Sequence, residues 1–165
     1  MASSNNKSIV FICGAVNAGK STVGKLLAER LRAVFVEGDD IRKIFYWKTV
    51  EDARPEIIEC IGALVKTLAQ RGRSVVVAYP IWKEDHGPLM QILRGLDASI
   101  HFIALNPPLS AAVKNRGTRE LADWEVQFIK ELYAKGVNKP PFAKAINNMK
   151  IPPQKTVEKI LKLLT

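Results

Sequence analysis

The sequence predicts an α/β fold in one domain spanning residues 1–165: a parallel sheet of about five strands with helices on both faces. Three observations predict it. Short apolar runs rich in β-branched residues recur along the chain, as strands buried on both faces do. Amphipathic stretches with helical spacing alternate with those runs. The first run also passes directly into a glycine-containing turn and a helix, the opening of a βαβ unit. A length of 165 residues suits one domain of roughly 100 to 200 residues.

The first strand is SIVFIC, residues 8–13, preceded by a flexible N-terminus over residues 1–7. Val23, Leu26, Leu27 and Leu31 repeat at helical spacing, and residues 33–37 give a second strand. Pro55 opens an amphipathic helix carrying Ile57, Ile58, Ile61, Leu64, Val65 and Leu68 on one stripe, with Gly72 as its stop. A third strand spans residues 74–78, a helix 83–96, and a fourth strand 99–105; NPPL then starts a helix running to about Arg116. Leu121, Trp124, Phe128, Ile129 and Leu132 line a further helix ended by Gly136. A fifth strand falls at residues 144–148, and Pro153 opens a closing helix with Val157, Ile160, Leu161 and Leu164 inward.

Composition removes several classes. With 47% hydrophobic and 25% charged residues, the chain is neither disordered nor collagenous. No run approaches the roughly 18 to 20 apolar residues of a membrane span, and MASSNNK is no signal peptide, so a cytoplasmic protein is expected. Cys13 and Cys60 both fall in apolar periodic segments and read as small core residues; His86 and His101 read as structural. The net charge of +9 is uneven, +2 over residues 1–70 and +7 over 71–165. The basic excess is spread over helices and loops, so a solvated basic face is favoured over a nucleic-acid surface.

Directly after the first strand, GAVNAGKS matches G-x-x-x-x-G-K-[ST] from Gly14 to Ser21. The glycines let the backbone curl so that N–H groups point at phosphate oxygens beside the positive end of the following helix. Gly14, Asn17, Ala18, Gly19, Lys20, Ser21 and Thr22 are therefore the expected nucleotide-binding residues. Lys20 is expected to reach the β- and γ-phosphates and Ser21 to ligate Mg²⁺. In an open parallel sheet, ligands bind at the carboxyl ends of the strands. The second strand ends in GDDIR, where Asp39 and Arg42 share a helical face; one can accept a hydroxyl proton, the other grip an anion. The third strand ends in AYPIWKED with no acid at its tip, which speaks against a GTPase or motor ATPase and leaves Asp39 beside Ser21 as the metal candidate. Tyr79 and Trp82 are candidates to stack on a planar substrate, with Lys83 beside them. Arg116 and Arg119, flanking Gly117, suggest a lid over about residues 114–140 that supplies charge to the transition state. Asn147, Asn148 and Arg116 are candidates for purine contact.

Taken in order and spacing, GAVNAGKST, GDDIR, VVVAYPIWKED and NPPLSAAVKNRG resemble the small P-loop kinases typified by adenylylsulfate kinase, with kin among polynucleotide 5′-kinases and antibiotic phosphotransferases. The resemblance spans roughly residues 8–163. It implies a single-domain P-loop NTPase with strand order 2-3-1-4-5, Asp39 as base or metal organiser, Arg42 on the acceptor, and Arg116 in the lid. It also implies ATP and Mg²⁺ as cofactors and transfer of the γ-phosphate to a hydroxyl of a small molecule. The family continues after Asp-x-x-Arg with Asn-Arg-Asp-Leu-Gly-Phe, whereas this chain reads KIFYWKTVEDARPE; the family's Lys-Gly-Leu-Tyr lid segment is replaced by GTREL. Both departures fall on the acceptor side, so adenylylsulfate is not assigned. The alternatives are a polynucleotide 5′-hydroxyl kinase, an antibiotic phosphotransferase, or a non-catalytic nucleotide-binding switch.

Overall fold

The computed structural model describes residues 7–115 and 119–164. Strands β1 (Ser8–Cys13), β2 (Val34–Glu37), β3 (Val75–Ala78), β4 (Ser99–Leu105) and β5 (Lys144–Ile146) form one parallel sheet in the order β2-β3-β1-β4-β5. That is the order the resemblance implied. β1 lies at the centre, with Ile9 opposite Val75 on one side and Ile100 on the other.

Residues 9–13 are apolar without interruption because both faces of this strand are covered. Ile9, Phe11 and Cys13 point into one core, shared with Ile57, Ile61 and Val65 of α3 (Val50–Gln70) and Leu89 of α4 (Lys83–Ile92). Val10 and Ile12 point into the other, shared with Val23 and Leu27 of α1 (Lys20–Leu31) and Val157 and Ile160 of α7 (Pro153–Leu164). All five strands run the same way, so the segments following β1, β2 and β3 emerge along one edge of the sheet. There α2 (Gly38–Ile44) follows β2 without a break, while α5 (Leu109–Ala112) and α6 (Asp123–Ala134) follow β4.

Several expected elements are moved. α3 begins at Val50, five residues before Pro55. Thr49 caps it by accepting a hydrogen bond from the Asp52 N–H at 3.2 Å, and Pro55 sits in the second turn, where its absent N–H forfeits one helical bond. The added turn carries Ala53 and Arg54 inward. Leu64, on the expected stripe, is exposed. α4 ends at Ile92, short of Leu96, and the helix after NPPL is only the four residues of α5. The last strand stops at Ile146. Cys60 is exposed, so only Cys13 is a core cysteine, and burial pushes its thiol up to about 12. The His86 ring stacks on Phe142 at 4.2 Å. Among the described residues no helix is long and apolar enough to cross a membrane.

Candidate functional site

The turn between β1 and α1 is shaped by residues that tolerate positive φ. Gly14 has φ +130°, and a Cβ there would lie 2.5 Å from the Leu105 carbonyl oxygen, so only glycine lets the loop cross beside the end of β4. Asn17 follows at φ +64° and Gly19 at φ +93°. Gly19 is the residue before α1, whose first-turn N–H groups have no intrahelical partner and sum into a positive pole. Lys20 folds back over this turn and donates to the Ala15 carbonyl at 2.7 Å. Burial lowers its ammonium to about 8, with the Asp39 carboxylate as the largest opposing influence.

The turn forms one wall of an open cleft of about 1140 Å³. Of the residues singled out by sequence, Asn17, Gly19, Lys20, Ser21, Thr22, Asp39 and Arg42 line it. Gly14 and Ala18 lie beneath its surface, both buried. The side chain of Asn17 turns sideways and donates to the Ala112 and Lys114 carbonyls at 2.8 and 3.0 Å, tying the turn to the end of α5. Asn148 donates to the Ala18 carbonyl at 2.8 Å and lines the cleft, its buried Oδ1 without a partner among the described residues. Ser21 and Asp39 both line this cleft, and their side-chain oxygens are the donor type that would suit Mg²⁺. Arg116 and Gly117 lie outside the described residues. Arg119 lines the cleft, paired with Glu125 at 2.6 Å; the Ala122 N–H and the Arg119 guanidinium hold the Glu125 carboxyl below the usual range.

Opposite the turn stands an arrangement that sequence reasoning missed. Arg54 of α3 is buried and paired with the equally buried Asp85 of α4, its Nε 3.1 and 3.0 Å from the two carboxylate oxygens. Its Nη2 donates to Asp85 and to the Pro80 carbonyl. The guanidinium lies 4.0 Å from the Trp82 ring centre, and Lys135 Nζ lies 5.1 Å from the same ring. Arg54 Nη1 and Trp82 Nε1 are buried without a partner among the described residues, and both residues line the cleft. The signal was available: Arg54 sits three and four residues before Ile57 and Ile58, so it continues a buried stripe on which a lone cation needs a counter-charge. Tyr79, packed under Gly38, lines the cleft together with Trp82, whereas Lys83 does not. Trp124, expected on the inner stripe of α6, is 69% exposed at the cleft's rim.

A family model described as an AAA domain matches residues 9–131, well over half the sequence. The chain belongs to that family of P-loop kinases. Solved structures with this P-loop kinase fold include a gluconokinase from Sinorhizobium meliloti 1021, at 24% identity and TM-score 0.71, covering 96% of this chain and 91% of that one. A shikimate kinase from Acinetobacter baumannii in complex with shikimate aligns at 20% identity and TM-score 0.68, covering 97% and 93%. The Mycobacterium tuberculosis APS kinase in complex with AMPPNP and APS aligns at 18% identity and TM-score 0.69, covering 96% and 98%. At these identities the likeness is one of fold. No curated protein matches the sequence.

Proposed function

We propose that this P-loop kinase chain transfers the γ-phosphate of ATP to a hydroxyl of a small-molecule acceptor. One observation carries the reading: Lys20 and Ser21 of the phosphate loop open onto the same cleft as the Asp39 carboxylate, so a phosphate donor and a proton acceptor face one space. The loop amides and Lys20 would hold the β- and γ-phosphates, and Asn148 Oδ1 offers an acceptor to the purine. Ser21 and Asp39 are the residues that would hold Mg²⁺, which would supply neutralising charge to the phosphates. Asp39 would orient the acceptor hydroxyl and take its proton as the oxygen forms a bond to the γ-phosphorus and the bond to the bridging oxygen breaks, releasing ADP. Arg42 and the unpartnered Nη1 of Arg54 supply donors to the rest of the acceptor, while Arg119 lies where a lid would exclude water.

The test is Asp39→Asn. Acceptor-dependent ADP release from ATP·Mg²⁺ is expected to fall by roughly 10²-fold or more while ATP binding, read by calorimetry, stays within a few-fold of wild type. Unchanged turnover would overturn Asp39 as the base. ATP binding with no turnover against gluconate, shikimate, adenylylsulfate, aminoglycosides and nucleosides would favour a nucleotide-binding switch.

A further inference from the structure

The segment after Arg42 leaves an unusual surface in water. Tyr46 is 86% exposed and Trp47 64%, with their rings edge to face at 5.0 Å and Phe45 tilted against Trp47 at 6.2 Å. Such large adjoining rings are seldom left to solvent without a use. Beside them lies a second hollow of about 230 Å³, walled by Phe45, Tyr46 and Thr49. Arg42 and Lys43 line both this hollow and the main cleft, so the two spaces share a wall.

Charge narrows what fits there. Lys43 is paired with Asp40 at 2.7 Å and Lys48 with Glu56. Arg42 has no ion-pair partner among the described residues, so the shared wall presents one uncompensated cation. A nucleic-acid strand, with a phosphate at each nucleotide, would call for several. On α2, Asp39 and Arg42 lie one turn apart, and Tyr46 follows in the turn just past the helix end at Phe45. This is also the segment that departs from the adenylylsulfate kinase pattern.

We propose that the acceptor is a two-part small molecule: its reacting hydroxyl lies at Asp39, a single anionic group on Arg42, and a flat ring in the second hollow against Phe45 and Tyr46, the latter backed by Trp47. This rests on the phosphotransfer reading of the main cleft. The ring gains contact with Tyr46, which already stands exposed, and the anion gains the Arg42 guanidinium, which has no ion-pair partner among the described residues.

Calorimetric titration with phenyl β-glucuronide, glucuronate and phenyl β-glucoside tests the idea, since the first carries hydroxyls, anion and ring and each of the others lacks one feature. The glucuronide is expected to bind at least about tenfold tighter than either relative. The double variant Tyr46→Ala, Trp47→Ala should lose that advantage and bind ATP as wild type does. Equal binding by all three compounds, or an advantage that survives the double variant, overturns the proposal. So does a 5′-hydroxyl oligonucleotide that binds more tightly than the glucuronide, which would make the surface a strand-binding one. ADP release with ATP·Mg²⁺ in the same solutions separates the two ideas. Release without any ring-and-anion preference sinks the second hollow alone; the preference without release, together with an inert Asp39→Asn comparison, counts against phosphotransfer alone.

Discussion

Lys20 is held between opposing influences that make it a proton-linked sensor of its own ligand. Burial lowers its ammonium from the usual 10.5 to about 8, and the Asp39 carboxylate only partly offsets that. A triphosphate beside it favours the charged form, so nucleotide binding above pH 8 must draw a proton from solution. Affinity for ATP is therefore expected to weaken by up to about tenfold per pH unit once pH passes 8. Calorimetry in buffers of different ionisation heat would show proton uptake in the same range. The nucleotide-free protein should behave oppositely. Between about 8 and 10.5 the unfolded lysine still holds its proton while the folded one has lost it, so stability rises with pH through that window. ATP affinity that stays flat from pH 7 to 9.5 would show that Lys20 is charged throughout.

At the level of elements, the Arg54–Asp85 pair is, among the described residues, the one charged link between α3 and α4 inside the core, and it braces the cleft wall that Arg54 lines. Asp85 also accepts from the Trp82 N–H at 2.6 Å, so one carboxylate caps α4 and neutralises Arg54. Asp85→Ala leaves a buried guanidinium without a counter-charge and is expected to destabilise the fold by about 3 to 5 kcal/mol. The double variant Arg54→Met, Asp85→Leu removes both charges and should recover much of that loss, giving a strongly non-additive cycle in urea denaturation. Additive losses would mean that the pair contributes through packing alone. This link was hidden for a definable reason. Pro55 reads as a helix start, so Arg54 falls in a loop; once Thr49 caps the helix five residues earlier, Arg54 joins the buried stripe. β1 and β3 were legible because burial on both faces writes itself as unbroken apolar runs, as in residues 9–13. The phosphate loop was legible because positive φ at Gly14 and Gly19 demands glycine at fixed positions. Trp124 and Cys60 were misplaced because helical spacing shows that a residue shares a stripe, not whether the neighbouring element reaches far enough to cover it.

Across the whole molecule, the phosphate loop is lashed to elements distant in sequence. Gly14 lies against the Leu105 carbonyl of β4, Asn17 reaches Ala112 at the end of α5 and Lys114 just after it, and Asn148 after β5 holds the Ala18 carbonyl. A ligand that needs the loop in this shape therefore needs β1, β4 and β5 assembled, and its binding energy adds to global rather than local stability. At a ligand concentration about 100 times Kd, that addition is about 2.7 kcal/mol. For a chain of this size about 2 to 4 °C follow per kcal/mol, so ATP·Mg²⁺ should raise Tm by roughly 5 to 11 °C. Lys20→Ala should abolish the rise at the same nucleotide concentration while leaving the ligand-free Tm close to wild type, because removing a charge that burial disfavours carries little cost. Inorganic sulfate at matched ionic strength is the control for the net charge of +9, since a basic surface gathers anions without regard to the loop. If sulfate stabilises the wild type and the Lys20→Ala variant as much as ATP·Mg²⁺ does, the gain belongs to that surface; a rise specific to nucleotide and lost with Lys20 ties global stability to the phosphate loop.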